Sequence, residues 1–123
     1  MYKIKVIQYF SAAHFLRNYK GKCENLHGHN WKVEVAISGD ELDASGMILD
    51  FGDLKMQVTE VLDELDHHNL NDLDYFKEHN PSSEEIARYI YNKLKAKISG
   101  KERGLEEVVI WETQNSCAIY NET

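Results

Sequence analysis

The chain has 123 residues, of which 42% are hydrophobic and 28% charged, a composition that fits a single domain, 1–123, with a buried core. Its net charge of −7 and pI of about 5.3 argue against a nucleic-acid-binding protein, which needs a basic surface. No apolar run approaches the roughly 20 residues that span a bilayer, and the N-terminus lacks the apolar core of a signal peptide. We therefore expect a cytoplasmic protein that binds neither nucleic acid nor membrane.

Two strands and a helix are predicted in the first half of the chain. Residues 2–10 show a loose alternation of apolar and polar side chains, and residues 31–38 show a strict one, as a half-buried strand does. Residues 54–65 then carry apolar side chains at helical spacing. Asp50 or Asp53 is suited to cap the N-terminus of that helix.

A second helix and two further strands are predicted in the second half. Residues 80–85 form a helix start, because a hydroxyl group caps the first turn and the acidic residues suit the helix dipole. A basic turn between Gly100 and Gly104 separates this helix from predicted strands at 107–111 and 118–120. The order strand, strand, helix, helix, strand, strand predicts an α+β fold with an antiparallel sheet.

A His-x-His pair just before the second strand is the strongest indication of chemistry. His27 and His29 are two residues apart, so in a strand both imidazoles point to the same face. Catalytic Zn²⁺ takes three protein ligands and leaves a fourth position open. His14, at the end of the first strand, comes close to the pair in an antiparallel hairpin. Each histidine alone is also compatible with an ordinary surface role, but together they predict a metal site.

The two cysteines are expected to differ in environment. Cys23 has polar neighbours and precedes His27 by four residues, so we expect an exposed and reactive thiol beside the metal site. Cys117 belongs to the strand-like run Ser116-Cys117-Ala118-Ile119-Tyr120 and is interpreted as a small apolar packing residue. A disulfide between them is not expected in a cytosolic protein.

Three acid–base residues lie outside the histidine cluster. Asp66 precedes His67 after the first helix, and an aspartate beside a histidine can orient the imidazole for proton transfer near neutral pH. The alternative is a solvated helix C-terminus, where the dipole favours a histidine cation. Glu112 ends a mostly apolar strand. Its carboxylate either faces solvent or anchors a ligand that has paired N–H donors.

Six motifs follow one another along nearly the whole chain. They are Ala12-Ala13-His14, Cys23-x-x-x-His27-Gly28-His29-Asn30, Leu49-Asp50-Phe51 with Leu54-Lys55, Leu65-Asp66-His67-His68-x-Leu70-Asn71-Asp72, Asn80-Pro81-Ser82-Ser83-Glu84 and Glu112-Thr113. In this order they resemble the 6-pyruvoyl-tetrahydropterin synthase family. The three-residue gap before His27 and the presence of His68 after His67 are most similar to its bacterial 6-carboxytetrahydropterin synthase branch, which acts in queuosine biosynthesis.

The resemblance implies a tunnelling fold of ββααββ order, with two helices on one face of an antiparallel sheet. In this family the sheets of several protomers close a barrel, and two trimers stack into a homohexamer with active sites at the subunit interfaces. The resemblance also implies that His14, His27 and His29 hold Zn²⁺.

The reaction implied is the conversion of 7,8-dihydroneopterin triphosphate to 6-carboxy-5,6,7,8-tetrahydropterin, with release of acetaldehyde and triphosphate. The alternatives are a 6-pyruvoyl product formed without carbon–carbon cleavage, and a pterin- or metal-binding protein that catalyses nothing. By resemblance, Cys23 is the general base, while Asp66 and His67 move protons on the other side of the substrate.

The remaining implied contacts concern the two ends of the substrate. Glu112 would hold the aminopyrimidine edge of the pterin and join the proton relay, and Ser82, Ser83 and Glu84 would complete that pocket. The basic residues of the first loop would contact the triphosphate; they are Arg17, Lys20 and Lys22.

Overall fold

A computed structural model describes residues 1–98 and 103–122 of the chain. In this part of the chain, five strands form one sheet and two long helices cover one of its faces, which confirms the α+β prediction. The strands are β1 (Tyr2–His14), β2 (His27–Gly39), β3 (His68–Asn69), β4 (Arg103–Thr113) and β5 (Ser116–Tyr120). The helices are α1 (Phe51–Leu62), α2 (Asp74–Glu78) and α3 (Ser83–Lys97), and a 3₁₀ turn (Leu70–Asp72) precedes α2.

The sheet has the strand order β3-β1-β2-β4-β5. β1 and β2 pair antiparallel over their whole length, from Tyr2 opposite Gly39 to His14 opposite His27. β4 and β5 continue the antiparallel sheet, whereas the two-residue β3 runs parallel to β1. The short elements β3 and α2 are additions to the predicted order, and neither has enough residues to show a hydrophobic period in the sequence.

The core lies between the sheet and the two long helices. Alternate side chains of the central strands point toward the helices, as in the row Val6, Val35 and Val108, where each residue is at most 4% exposed. Phe10 and Trp31 sit opposite each other on β1 and β2, and their rings stack with centroids 5.9 Å apart. Burial of this apolar surface is the main source of stability.

Both predicted helix caps are present. The Asp50 carboxylate accepts hydrogen bonds from the backbone N–H groups of Gly52 and Asp53, at 2.8 and 3.2 Å, so Asp50 is the cap of α1. The Ser82 hydroxyl accepts a hydrogen bond from the Glu85 N–H at 3.2 Å and caps α3. The caps satisfy amide groups that a helix leaves unpaired at its start.

The helical pattern of the sequence extends further than α1 itself. The helix ends at Leu62, and Leu65 lies in the following turn while remaining fully buried. Leu65 thus continues the apolar pattern of the helix in the sequence, although it lies beyond the helix, because its side chain packs in the same core. The predicted basic turn after α3 lies partly outside the described residues, which do not include Gly100. No helix in 1–98 or 103–122 is long and apolar enough to cross a membrane.

The prediction that Cys117 packs inside the protein is wrong, because its side chain is exposed. β5 is the last strand of the sheet, and Tyr120 points toward the helices, where its ring meets Tyr91 of α3 at 5.1 Å. Cys117 and Ile119 alternate with it and point to the face that has no helices. The strand was identified correctly, but the sequence did not show that helices cover only one of its faces.

Leu94→Ala should lower the free energy of unfolding by about 2–5 kcal/mol, because it removes a fully buried side chain that joins α3 to the sheet. Met56→Ala is the control on α1, since Met56 is 61% exposed and its truncation should cost less than about 0.5 kcal/mol. Urea unfolding measures both changes. Similar losses in the two variants would contradict the assignment of α3 to the core.

Candidate metal centre

Three histidines and one glutamate converge at the end of the sheet where β1 stops and β2 begins. One ligand atom from each of His14, His27, His29 and Glu112 lies within 4.8 Å of the others. The register places His14 directly opposite His27, and His29 follows two residues later on the same face of β2. The centroids of the three imidazole rings are 4.7 to 5.2 Å apart. The structure thus brings together the three histidines that the sequence singled out.

Backbone carbonyl groups orient two of the imidazoles. Nδ1 of His14 lies 2.7 Å from the Pro81 carbonyl oxygen, and Nδ1 of His27 lies 2.8 Å from that of Asn25. A carbonyl oxygen only accepts hydrogen bonds, so each Nδ1 must carry the hydrogen, and each neutral ring keeps the lone pair of Nε2 for a ligand. Metal-binding histidines are typically oriented in this way.

The unpaired nitrogen atoms of the cluster fit a bound cation. Nε2 of His14 and Nε2 of His29 are buried and have no hydrogen-bond partner. Oε1 of Glu112 is 3.4 Å from the first and 3.0 Å from the second. A buried polar atom without a partner costs free energy, and a metal ion bound to these lone pairs would remove that cost. Imidazole and carboxylate together suit divalent transition metals.

Electrostatics keep the central histidine neutral. Burial lowers the pKa of His29 below its ordinary value; Glu112 opposes this shift, while His14 and His27 add to it. A lowered pKa favours the neutral imidazole at pH 7, and only the neutral form offers a lone pair to a metal.

Glu112 belongs to this cluster, which the sequence analysis did not foresee. It lies at a register shift of the β4–β5 pair, where one extra residue of β4 falls between Trp111 and Thr113. Bulges of this kind commonly redirect a side chain near a functional site. The alternation of side chains along the strand could have indicated this position. Glu112 is two and four residues from Ile110 and Val108, which point toward the helices.

Asp66 and His67 lie at the outer edge of β1. The Asp66 carboxylate accepts a hydrogen bond from the Ser11 N–H at 2.8 Å, and its other oxygen is 3.6 Å from Nε2 of His67. His67 has a φ of +59°, and its N–H donates to the Ser11 carbonyl. This left-handed backbone is uncommon for histidine and requires the neighbouring contacts to hold it. The predicted pair therefore belongs to the turn that follows α1, and this turn is tied to β1 through Ser11.

An open cleft of about 500 Å³ lies beside the end of β1 and the start of β2. His67 and His68 line one part of the cleft, and His29 lines another. The His67 side chain is 83% exposed, so its imidazole is free to contact a bound molecule.

Cys23 is exposed, as expected, but it is not one of the clustered ligands among the described residues. It lies in the loop between β1 and β2, and this loop folds back on itself. The Glu24 N–H donates to the Leu16 carbonyl at 2.9 Å, and the Glu24 carboxylate accepts from the Leu16 N–H at 3.0 Å. Two basic residues of the same loop, Lys20 and Lys22, are also exposed.

The N-terminus of α3 lies beside the cluster. Pro81 contacts the His14 ring through its carbonyl group, and Ser82, Ser83 and Glu84 follow directly. The Ser82 hydroxyl is occupied as the helix cap, whereas the Glu84 side chain is exposed. These three residues therefore follow directly after a residue whose carbonyl group contacts the candidate metal ligand His14.

With the geometry established, comparison with known proteins identifies the family. The sequence profile of the family described as 6-pyruvoyl tetrahydropterin synthase matches residues 3–123. The chain belongs to this family. Among solved structures, 6-pyruvoyl tetrahydropterin synthase from Caenorhabditis elegans superimposes with a TM-score of 0.87 at 34% identity, covering 99% of this chain and 96% of that one.

Relatives with two different names have similar sequences. The 6-carboxy-5,6,7,8-tetrahydropterin synthase of Haemophilus influenzae is 37% identical over 145 residues, which cover 99% of this chain and all of the relative. The human 6-pyruvoyl tetrahydrobiopterin synthase is 36% identical over 125 residues, which cover 90% of this chain and 85% of the relative. Identity alone therefore does not separate the two activities that these names describe.

Zinc added to the metal-free protein should raise its melting temperature, because an ion that binds only the native state stabilises it. His29→Ala should weaken zinc binding by more than the roughly 10–100-fold that loss of a ligand's hydrogen-bond partner costs. His79→Ala is the control, since its ring stacks on Tyr75 at 4.2 Å and is not one of the clustered ligands. Calorimetric titration measures all three proteins. Equal zinc affinity in the two variants would exclude this cluster as the binding site.

Proposed function

We propose that the protein is a zinc-dependent 6-carboxytetrahydropterin synthase of queuosine and 7-deazaguanine biosynthesis. It would convert 7,8-dihydroneopterin triphosphate and water to 6-carboxy-5,6,7,8-tetrahydropterin, acetaldehyde and triphosphate. The observation that carries this proposal is the cluster of three histidines where β1 ends and β2 begins. Relatives from Haemophilus influenzae, Synechocystis and Bacillus subtilis carry the name of this activity at 34 to 37% identity.

His14, His27 and His29 would hold the Zn²⁺ ion, which supplies a Lewis acid for the oxygen atoms of the substrate side chain. Two features support these ligands. The buried Nε2 atoms of His14 and His29 have no hydrogen-bond partner, and burial keeps His29 neutral. The carbonyl groups of Pro81 and Asn25 hold two of the rings in the tautomer that leaves Nε2 free.

Cys23 and the Asp66–His67 pair would move protons on opposite sides of the substrate. The Cys23 thiol is exposed in the loop that precedes His27. His67 projects into solvent at the cleft, with the Asp66 carboxylate 3.6 Å from its Nε2. In this role the carboxylate would orient the imidazole of His67 for proton transfer.

Glu112 and the start of α3 would recognise the pterin ring. A carboxylate accepts paired hydrogen bonds from an aminopyrimidine edge, and such charge-assisted bonds are strong and directional. Ser82, Ser83 and Glu84 would complete this pocket, and their closeness to the metal ligands through Pro81 supports the assignment. Arg17, Lys20 and Lys22 would contact the triphosphate from the first loop.

The runner-up function is 6-pyruvoyl-tetrahydropterin synthesis, in which triphosphate leaves but the carbon–carbon bond stays intact. It is favoured by the 36% identity to the human enzyme of that name. The three-residue gap between Cys23 and His27, together with His68 after His67, favours the carboxy product. A protein that binds pterin and metal without turnover is the third possibility.

We also propose that the active unit is a cytoplasmic homohexamer of two stacked trimers, each built from single-domain protomers spanning 1–123, with active sites at the interfaces. β3 pairs with only Ala12 and Ala13 of β1, and β5 ends the sheet on the other side. The helix-free face carries exposed apolar side chains, including Tyr9 at 67% and Ile119 at 58%. Closure of several sheets into a barrel would pair these edges and cover this face.

Incubation of the purified protein with 7,8-dihydroneopterin triphosphate should release acetaldehyde in equal amount to the substrate consumed. Cys23→Ala should slow turnover by about 10²–10⁴-fold, the typical contribution of a general base, while zinc content stays the same. Chromatography of the pterin and an aldehyde assay follow both products. A 6-pyruvoyl product without acetaldehyde would establish the runner-up, and zinc and pterin binding without turnover would establish the third possibility.

Glu112→Gln should weaken pterin binding by about 10–100-fold, because a neutral amide loses the charge-assisted hydrogen bonds worth roughly 1.5–3 kcal/mol. The same substitution should change zinc affinity less. Glu78→Gln, at the exposed end of α2, is the control. Fluorescence titration with pterin and a chelator competition for zinc give the two affinities. Loss of zinc affinity with pterin binding intact would instead make Glu112 a metal ligand, in keeping with its 3.0 Å contact to His29.

A further inference from the structure

We propose that Asn71 and Asn80 are positioning residues for the metal centre: their side-chain amides hold the chain that follows β1 and thereby fix His14. This inference rests on the proposed metal site and adds two residues to which no role in the reaction has been assigned. Neither residue touches the clustered ligand atoms, so both act through the backbone of their neighbours.

Each asparagine pairs with both backbone groups of one residue. Oδ1 of Asn71 accepts a hydrogen bond from the Phe15 N–H at 2.9 Å, and its Nδ2 donates to the Phe15 carbonyl at 2.9 Å. Oδ1 of Asn80 accepts from the Arg17 N–H at 2.8 Å, and its Nδ2 donates to the Arg17 carbonyl at 2.9 Å. A carboxamide is the one uncharged side-chain group that supplies a donor and an acceptor in this arrangement.

The two carboxamides pair with the edge of the chain beyond the point where pairing with β3 stops. Backbone pairing along the outer edge of β1 stops at Ala13, which pairs with Asn69 of the two-residue β3. Phe15 and Arg17 are the next alternate residues, and alternate residues of an extended edge present their N–H and C=O groups to the same side. Asn71 and Asn80 therefore pair with this edge as a neighbouring strand would.

His14 lies between Ala13, which pairs with β3, and Phe15, which pairs with Asn71, and it is held from both directions. Its backbone directly precedes Phe15, while its ring Nδ1 lies 2.7 Å from the carbonyl oxygen of Pro81. Pro81 is buried and follows Asn80, and the Ser82 N–H donates to the Asn80 carbonyl at 2.8 Å. The Asn80-Pro81 dipeptide thus holds the backbone after His14 with one residue and the His14 ring with the next.

Replacement of either asparagine by aspartate removes the hydrogen-bond donor of the side chain and leaves the shape of the side chain unchanged. A carboxylate still accepts from the N–H group, but it cannot donate to the carbonyl oxygen that Nδ2 now satisfies. Two oxygens would then face each other at a site where Asn71 is only 7% exposed. An unpaired buried carbonyl is unfavourable, so the segment that carries His14 should shift.

The test compares Asn71→Asp and Asn80→Asp with Asn92→Asp, an exposed position on α3. Zinc affinity is measured by chelator competition at a temperature where circular dichroism shows every variant folded. The visible absorption of the Co²⁺-substituted protein reports the geometry of the ligands. We expect about tenfold weaker zinc binding and an altered cobalt spectrum in the first two variants, in line with the effect of groups that orient metal ligands. The control should match the wild type.

Asn80→Ala is the second variant, because Asn80 is half-buried and water can replace its hydrogen bonds without unfolding the chain. It should also weaken zinc binding and change the cobalt spectrum. Wild-type zinc affinity and an unchanged spectrum in the folded Asn80 variants would overturn the positioning role while leaving the proposed function intact. A wild-type protein that binds no zinc would instead overturn the metal site and, with it, this inference.

Discussion

The antiparallel register of β1 and β2 is the constraint on which the rest of the structure depends. It places His14 opposite His27, and it also aligns the apolar rows that form the core, such as Val6 with Val35. A slip of one residue would turn every side chain of a strand to the other face, so the same shift would lose both the core and the histidine cluster. The stability of the core and the geometry of the histidine cluster therefore both depend on the register of β1 and β2.

Trp31 joins these two parts of the molecule. Its side chain is fully buried, its ring stacks on Phe10, and its indole N–H donates to the Ala12 carbonyl at 3.2 Å. The same ring meets His14 at 4.9 Å and His29 at 5.1 Å. The imidazoles are thus packed against a rigid aromatic surface on one side, while carbonyl groups hold two of them through Nδ1. Little reorganisation is needed for such a cluster to bind an ion.

The site is assembled from paired strands, a turn and an exposed loop. Its histidines lie on paired strands, and His67 is fixed by contacts with Ser11, whereas Cys23 is exposed in a loop. Bonds from Asn71 and Asn80 hold the first part of that loop beside the sheet. The candidate metal ligands therefore lie on the sheet itself, and the exposed thiol lies on the loop that leads into it.

The sequence by itself determined the order of the main elements, the helix caps and the face on which His27 and His29 lie, because these follow from periods of two and 3.6 residues and from local hydrogen bonding. The sequence also identified His14 as the histidine nearest to that pair, since a hairpin brings the end of β1 to the start of β2. Only the tertiary structure decided what depends on contacts between distant segments. These contacts include the place of Glu112 in the cluster, the left-handed turn at His67 and the pairing of Asn80 with Arg17, 63 residues apart. Cys117 shows the same limit, because a strand pattern cannot tell which face the helices will cover.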